Sequence, residues 1–294
     1  MKPQGILLAG GLGTRLGPLT KSVNKHFLPI FDKPMIFYSI STMLLAGVKS
    51  LTLITNAEYI ELFRNLVGDG SQWGIQINIA IQHSPEGIPQ AFSIAEPYLE
   101  KDTHIMLGLG DNILYGLGTG RSLSANIIPG ITSIYCFSVS NPTDFGVVEI
   151  DHYGKILSLE EKPLNPKSNL AITGFYSFPY DAIDESKKLV KSARGEFEII
   201  DLLRIYSSEE RLRAIVLPRG TAWLDAGSQE GLLESSEFVH ALQKRQGLLV
   251  GSPDEVAWQI GNIDSEQLEL NATKYGKSEY GAALLALIDG AKRF

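Results

Sequence analysis

Residues 5–16 read Gly5-Ile6-Leu7-Leu8-Ala9-Gly10-Gly11-Leu12-Gly13-Thr14-Arg15-Leu16. The opening run is apolar on both faces, as a strand buried on both sides must be. The glycines at 10, 11 and 13 then let the chain turn sharply and bring backbone N–H groups against an anion, since no Cβ blocks the approach. At the carboxyl end of the first strand of an open α/β sheet, such a loop lies where these folds bind ligands. Arg15 and Lys25 would supply positive charge to phosphate oxygens there. An ordinary turn with two solvated cations fits the loop equally well, so the loop alone does not decide its chemistry. It is not a dinucleotide fingerprint, because the third glycine position holds Leu16. Gly276-Lys277-Ser278 has the ending of a Walker A loop, but its upstream glycine position is Asn271 and no strand precedes it.

Outward from this loop, short apolar runs alternate with helical patterns. PMIFYSISTMLLAG (34–47) precedes SLTLIT (50–55), the amphipathic AEYIELFRNLV (57–67), QINIAI (76–81), a helix from 89 to 99, HIMLGLG (104–110) and SIYCFSVS (133–140). That alternation predicts parallel βαβ units. From Gly146 the texture changes: VVEID, Tyr153-Gly154 and KILSLEEKP read as a hairpin, and AITGFYSF (171–178) as a further strand. The expectation is an α/β fold with a mixed, mostly parallel sheet flanked by helices. Further helices are expected at 180–191, 197–208 and 228–246, and the remainder reads as a helical C-terminal extension without hexapeptide repeats.

The 294 residues, 44% hydrophobic, suffice for a well-filled interior and exclude a disordered or fibrous chain. A formal net charge of -7 argues against a nucleic-acid binder, which needs a basic face, but leaves phosphorylated small molecules open. The lone Cys136 excludes an intramolecular disulfide and reads as core packing in a reducing cytosol. No apolar stretch reaches the roughly 18 residues of a membrane span, and the run in MKPQGILLAGG is too short for a signal peptide, so a soluble cytoplasmic chain is expected. Histidines 26, 83, 104, 152 and 240 lack metal-ligand spacing, and no GxSxG elbow occurs. Asp111 and Asp225 end apolar segments, where an isolated charge needs a partner; each alone also fits a cap or turn.

The motifs AGGLGTRL (9–16), NKHFLPIFDKPMI (24–36), GDGSQWG (68–74), QHSPEGIPQAF (82–92), LGDNILYG (109–116), FGVVE (145–149), LEEKP (159–163), ITGFY (172–176), SARGEFEIIDL (192–202) and TAWLDAGS (221–228) follow in this order. Together they resemble the sugar nucleotidylyltransferases, and best the glucose-1-phosphate thymidylyltransferase branch. The resemblance implies a Rossmann-like nucleotidyltransferase core at 1–240, with its sugar-binding region at about 140–225, and a helical region at 241–294 that makes the contacts of a homotetramer. It implies Mg²⁺-dependent transfer of a nucleotidyl group from dTTP, or from UTP, to glucose 1-phosphate or another hexose 1-phosphate, with release of pyrophosphate.

The same resemblance implies that Arg15 and Lys25 are catalytic. With Ala9, Gly10, Gly11, Gly13, Thr14, His26, Gln82, Gly87 and Asp111 they would bind the nucleotide, Gln82 reading the pyrimidine edge. Gly146, Glu161, Lys162, Ile172, Thr173 and Tyr176 would surround the sugar phosphate. Asp111 and Asp225 would hold Mg²⁺, an ion that takes one or two carboxylates and fills its other positions with phosphate oxygens and waters. Glu160-Glu161-Lys162-Pro163 alone could equally be a solvated turn. A second, regulatory nucleotide-sugar site is implied at Tyr115, Gly116, Arg219, Ser252, Glu255 and Gln259. Relatives commonly carry Arg at the last position, so weaker feedback inhibition is expected here. They also commonly carry Ser, Tyr and Gln where Leu12, Gly17 and His26 stand. Arg194-Gly195-Glu196-Phe197-Glu198 reads as a helix start without a catalytic role. Two other classes compete: a non-catalytic nucleotide-sugar-binding regulator, opposed by the intact Arg15, Lys25, Asp111 and Asp225, and a dinucleotide-dependent oxidoreductase, which lacks its third glycine.

Overall fold

The structure is a computed structural model and describes residues 2–291. β1 (Gln4–Leu8) is followed by a small antiparallel pair, β2 (Pro29–Ile30) and β3 (Lys33–Pro34), then by β4 (Ser50–Thr55), β5 (Gln76–Ile81) and β6 (His104–Leu109). β1 pairs in parallel with β4 and with β6, and β4 pairs in parallel with β5. These runs are apolar on both faces because both faces are covered. Leu7 packs with the helix Met35–Leu45 and Trp73 on one side. On the other, Ile6 packs with the helices Gln90–Ala95 and Ile199–Ser208. The register sets Leu8 opposite both Ile54 and Leu109, so the segments carrying Gly10, Asn56 and Asp111 leave the sheet at one edge.

β7 (Asn112–Tyr115), β8 (Thr132–Ser138), β9 (Gly146–Ile150), β10 (Ile156–Glu161), β11 (Leu170–Pro179), β12 (Leu212–Val216) and β13 (Ala222–Asp225) complete the strands among the described residues. β9 and β10 form the expected hairpin, and β11 runs antiparallel to β6, β8 and β9, which makes the sheet mixed. Between Ile172 and Tyr176 the β11–β8 register shifts, an irregularity of the kind that re-aims side chains beside active sites. Two pairings have no counterpart in the sequence reading. β12 pairs in parallel with β8, and β13 pairs with β7, setting Asp225 opposite Asn112. Helix 180–191 is shorter than expected, covering Ala182–Lys187.

The C-terminal extension is helical, with Pro253–Gln259, Ser265–Lys274 and Glu279–Ala291, and the helix Gln229–Gln246 runs without a break through residue 240. Asp254, fully buried, fastens this region to the core. One carboxylate oxygen accepts from the Trp73 indole at 3.1 Å and the Asn271 amide at 2.9 Å. The other accepts from the hydroxyls of Tyr275 at 3.1 Å and Tyr280 at 2.9 Å. Gly276-Lys277-Ser278 is the turn between the last two helices; Gly276 has φ 62° and the Ser278 hydroxyl accepts from the Gly281 N–H at 3.1 Å. It caps a helix and follows a helix, so it is not the strand-to-helix turn of a phosphate-binding loop. Cys136 is buried in β8, as expected of a packing residue. Among the described residues no helix is long and apolar enough to cross a membrane.

Candidate active site

The glycine loop leaves β1 with Gly13 in the left-handed conformation (φ 61°), and the turn Thr14–Leu16 follows with Arg15 exposed. Lys25 sits on the turn Lys25–Phe27, which Asn24 fastens to the strand end. The Asn24 amide donates to the Ala9 carbonyl at 2.9 Å, and its oxygen accepts from the His26 N–H at 2.9 Å and meets His26 Nδ1 at 2.6 Å. Burial, with the Lys25 charge beside it, pushes the His26 imidazole down to about 3. His26 is therefore neutral at ordinary pH.

The Lys25 ammonium forms an ion pair with one oxygen of Asp111, while the Asn112 amide donates to the other at 3.1 Å. Burial opposes the charged form of Asp111, but the Lys25 charge and these hydrogen bonds outweigh it and hold the carboxyl well below the usual range. Asp225 is brought alongside by the β7–β13 ladder, and the Ala226 N–H donates to the Asp111 carbonyl at 2.9 Å. Burial raises the Asp225 carboxyl, and the Asp111 charge raises it further. Between them lies Gly227, buried and unremarked in the sequence. A Cβ there would stand 2.8 Å from Arg15 Nη2, 2.9 Å from Asp111 Oδ2 and 3.0 Å from Asp225 Oδ1. One guanidinium and two carboxylates thus face a single gap. No cluster of three or more His, Cys, Asp or Glu occurs among the described residues. Two mutually repelling carboxylates beside a gap fit Mg²⁺, which needs no more from a protein.

Two cavities meet at Asp111. The first, about 200 Å³, is walled by Gly10, Gly11, Lys25, His26, Gln82 and Gly87. Ala9 is buried behind it, and Gly13 and Thr14 lie outside its lining. Gln82 is 6% exposed. Its amide nitrogen donates to Gln90 Oε1 at 2.7 Å, which also accepts from the Glu86 N–H at 3.1 Å. Gly87, at φ 106°, is pressed against Phe197, whose carbonyl oxygen a Cβ would meet at 2.1 Å. The second cavity, about 230 Å³, brings together Gly146, Glu161, Lys162, Ile172, Thr173 and Tyr176, with Arg15 and Asp225 at the shared end.

Arg194, Asn112, Phe145 and Trp223 also line the second cavity and were given no role by the sequence reading. Arg194 binds Glu161 at 3.2 Å and Glu198 at 2.6 Å. Burial raises the Glu161 carboxyl, and the Arg194 hydrogen bond and charge oppose that rise. Asn112 orders the wall, its oxygen accepting from the Gly174 N–H at 3.0 Å within the irregular part of β11 and from the Trp223 indole at 2.7 Å. Phe145 packs against Trp223, their ring centroids 4.8 Å apart and their planes tilted by 59°. Lys162 adopts φ 44°, an unfavourable conformation for a side-chain-bearing residue.

The Nucleotidyl transferase family model matches residues 4–241. The glucose-1-phosphate thymidylyltransferase of Mycolicibacterium smegmatis is 47% identical over 97% of this chain and 99% of its own length. That of Neisseria meningitidis is 44% identical over 97% and 99%. This chain belongs to the glucose-1-phosphate thymidylyltransferase family. A Bacillus anthracis structure solved with sucrose, 32% identical, superposes with TM-score 0.73 over 80% of this chain and 94% of that one. A UDP-glucose pyrophosphorylase complexed with UDP-glucose shares the fold with TM-score 0.71 at 23% identity, covering 84% of this chain and 100% of that one.

Within this thymidylyltransferase-family fold, the six residues of the expected regulatory surface fall into two groups. Tyr115 and Gly116 end β7 beside the exposed Arg219 turn. Ser252 and Glu255 are buried at the start of helix Pro253–Gln259, where the Ser252 hydroxyl accepts from the Glu255 N–H at 3.2 Å and meets the Tyr280 hydroxyl at 2.6 Å. Gln259 is exposed and donates to Glu255 at 2.8 Å. Among the described residues no hydrogen bond or ion pair joins the two groups.

Proposed function

We propose that this chain transfers the thymidylyl group of dTTP to glucose 1-phosphate, giving dTDP-glucose and pyrophosphate. The observation that carries this reading is the meeting of two cavities at Asp111, with Arg15, Lys25 and Asp225 around the junction. An oxygen of the sugar phosphate forms the new bond at the α-phosphorus as the bond from that phosphorus to the departing pyrophosphate breaks. The attacking oxygen is already ionised, so no general base is needed. The protein acts by positioning and by placing charge. Lys25 faces the α-phosphate, where charge accumulates at the five-coordinate stage, and Arg15 holds the β- and γ-phosphates. Asp111 and Asp225 would hold Mg²⁺, which would supply positive charge to the triphosphate.

Gln82 and Gly87 bound the base end of the smaller cavity. Glu161, half-buried and carboxylate-bearing, accepts from sugar hydroxyls, while Lys162 and Arg194 offer charge to the sugar phosphate. Residues 1–240 form the catalytic core and 241–294 the region for oligomer contacts, a reading supported by exposed Leu248, Ile260, Leu270 and Leu285. We extend the reading to a cytoplasmic homotetramer, checked by light scattering. Pyrophosphate release with Mg²⁺ across dTTP, UTP, dCTP, ATP and GTP, each paired with several hexose 1-phosphates, tests the whole. The reading fails if no pyrimidine triphosphate supports release with glucose 1-phosphate.

A further inference from the structure

We propose that Gln90 selects the nucleobase by fixing which end of the Gln82 amide, oxygen or nitrogen, faces the nucleotide cavity. This rests on the reading above that Gln82 stands at the base end of that cavity. The argument begins with a donor whose identity is not in question. The backbone N–H of Glu86 can only donate, and it points at the Gln90 side-chain oxygen at 3.1 Å. That contact fixes the orientation of the Gln90 amide. The same oxygen lies 2.7 Å from the terminal amide of Gln82, where a second oxygen would be repelled, so Gln82 presents its nitrogen.

The Gln82 oxygen is thereby turned the other way, toward Gly10, where a Cβ would come within 2.3 Å of it. Only a residue without a side chain leaves room there. Asn56 Oδ1, buried without a hydrogen-bond partner, borders the same side of Gly10. Reversing the Gln82 amide would set its oxygen against the Gln90 oxygen, so the Gln90 contact holds the orientation.

The consequence is a choice among pyrimidines. Thymine and uracil carry an N3–H that a fixed carbonyl oxygen accepts. Cytosine offers a bare N3, and two lone pairs then face each other with no water to separate them. An acceptor left unpaired in this way costs enough for a preference of roughly 10²-fold. Gln90 touches no substrate; it is a positioning residue acting through Gln82.

The test compares kcat/KM for dTTP and dCTP, with glucose 1-phosphate and Mg²⁺, in the wild type, Gln90→Met and Gln90→Glu. Methionine keeps the length of Gln90 and removes both hydrogen bonds, freeing the Gln82 amide to turn its nitrogen outward. The dTTP-to-dCTP ratio is expected to fall roughly tenfold or more, with dCTP gaining while dTTP loses. Loosening of the 83–89 loop would instead lower both together. Glutamate still accepts from Glu86 and Gln82, and should retain the wild-type ratio. An active Gln90→Met with an unchanged ratio overturns the inference while leaving the proposed function standing. So does a Gln90→Glu variant whose ratio collapses, and this arm decides the matter if Gln90→Met does not fold. A wild type that turns over no pyrimidine triphosphate overturns the proposed function, and the inference with it.

Discussion

Gly227→Ala adds one methyl group in the gap where the charges converge. Alanine is conformationally acceptable there, because Gly227 does not lie in the left-handed region. The new methyl would stand 2.8 Å from Arg15 Nη2, 2.9 Å from Asp111 Oδ2 and 3.0 Å from Asp225 Oδ1. Ordinary contact needs roughly half an ångström more. Arg15 is exposed and can swing aside. Asp111 is pinned by Lys25 and Asn112, and Asp225 accepts from the Gly227 N–H itself at 3.0 Å, so the carboxylates move only by straining those bonds. A misplacement of about 1 Å costs on the order of 10²-fold in rate, so about half of that predicts turnover lowered by roughly 10-fold to 30-fold. Stability should hardly change, since alanine lowers the entropy of the unfolded chain by about as much as the crowding costs. The assay is pyrophosphate release at saturating dTTP and glucose 1-phosphate over a Mg²⁺ titration, beside a thermal melt. Full turnover at an unchanged Mg²⁺ midpoint would refute the assignment of this gap. A loss of activity that merely tracks a large fall in Tm would refute it too.

Lys25→Ala should lower the single-turnover rate by about 10² to 10³ while weakening nucleotide binding less, because one preorganised charge is withdrawn from the transition state; a near wild-type rate counts against its role. Burial raises Glu255 to about 7 from 4.5, so the folded chain keeps a proton that the unfolded chain releases. The associated stability is present below pH 4.5 and lost as pH rises through 7. Across pH 5 to 8 the wild type should therefore lose roughly 1–3 kcal/mol relative to Glu255→Gln, and parallel denaturation curves would contradict this. Asp254→Leu leaves without an acceptor the Trp73 indole N–H and one N–H of the Asn271 amide, whose other N–H still donates to the Gln72 carbonyl at 2.7 Å, about 2–6 kcal/mol of destabilisation. Asp254→Asn keeps an acceptor and should cost much less; equal melting of both variants would show that the hydrogen bonds are not what matters.

The parallel half of the fold was legible because its strands are continuous apolar runs between amphipathic stretches, a pattern that burial on both sheet faces imposes. β12 was not, since LRAIV is short, carries Arg213, and becomes a strand only by pairing with β8 far away in sequence. The β7–β13 ladder was missed for the same reason. Asp111 and Asp225 stood out as carboxylates ending apolar segments, but that also fits a cap or turn, and only the family resemblance implied a metal role for them. Arg194 did not stand out, because in SARGEFE it looks like any cation near a helix start and acquires its meaning from Glu161 across the chain. Asn112, Gly227 and Gln90 carry no local signature. Their importance lies in what stands opposite them, and sequence spacing does not contain that. The left-handed φ of Lys162 had no sequence signal, since the Pro163 that follows it favours extended backbone.

The ion pair between Lys25 and Asp111 has a consequence for how the resting protein should be handled. A tethered ammonium already occupies the place of a counter-ion, at an effective concentration that a free ion in dilute solution does not match. A divalent ion arriving alone must evict that ammonium and leave it without an anion. An ion arriving on a triphosphate brings the replacement anion with it. If Asp111 holds the ion as proposed, ion and nucleotide are expected to enter as one package, and the protein between turnovers to be indifferent to chelators. Storage in a chelating buffer should leave both its melting temperature and its recoverable activity intact.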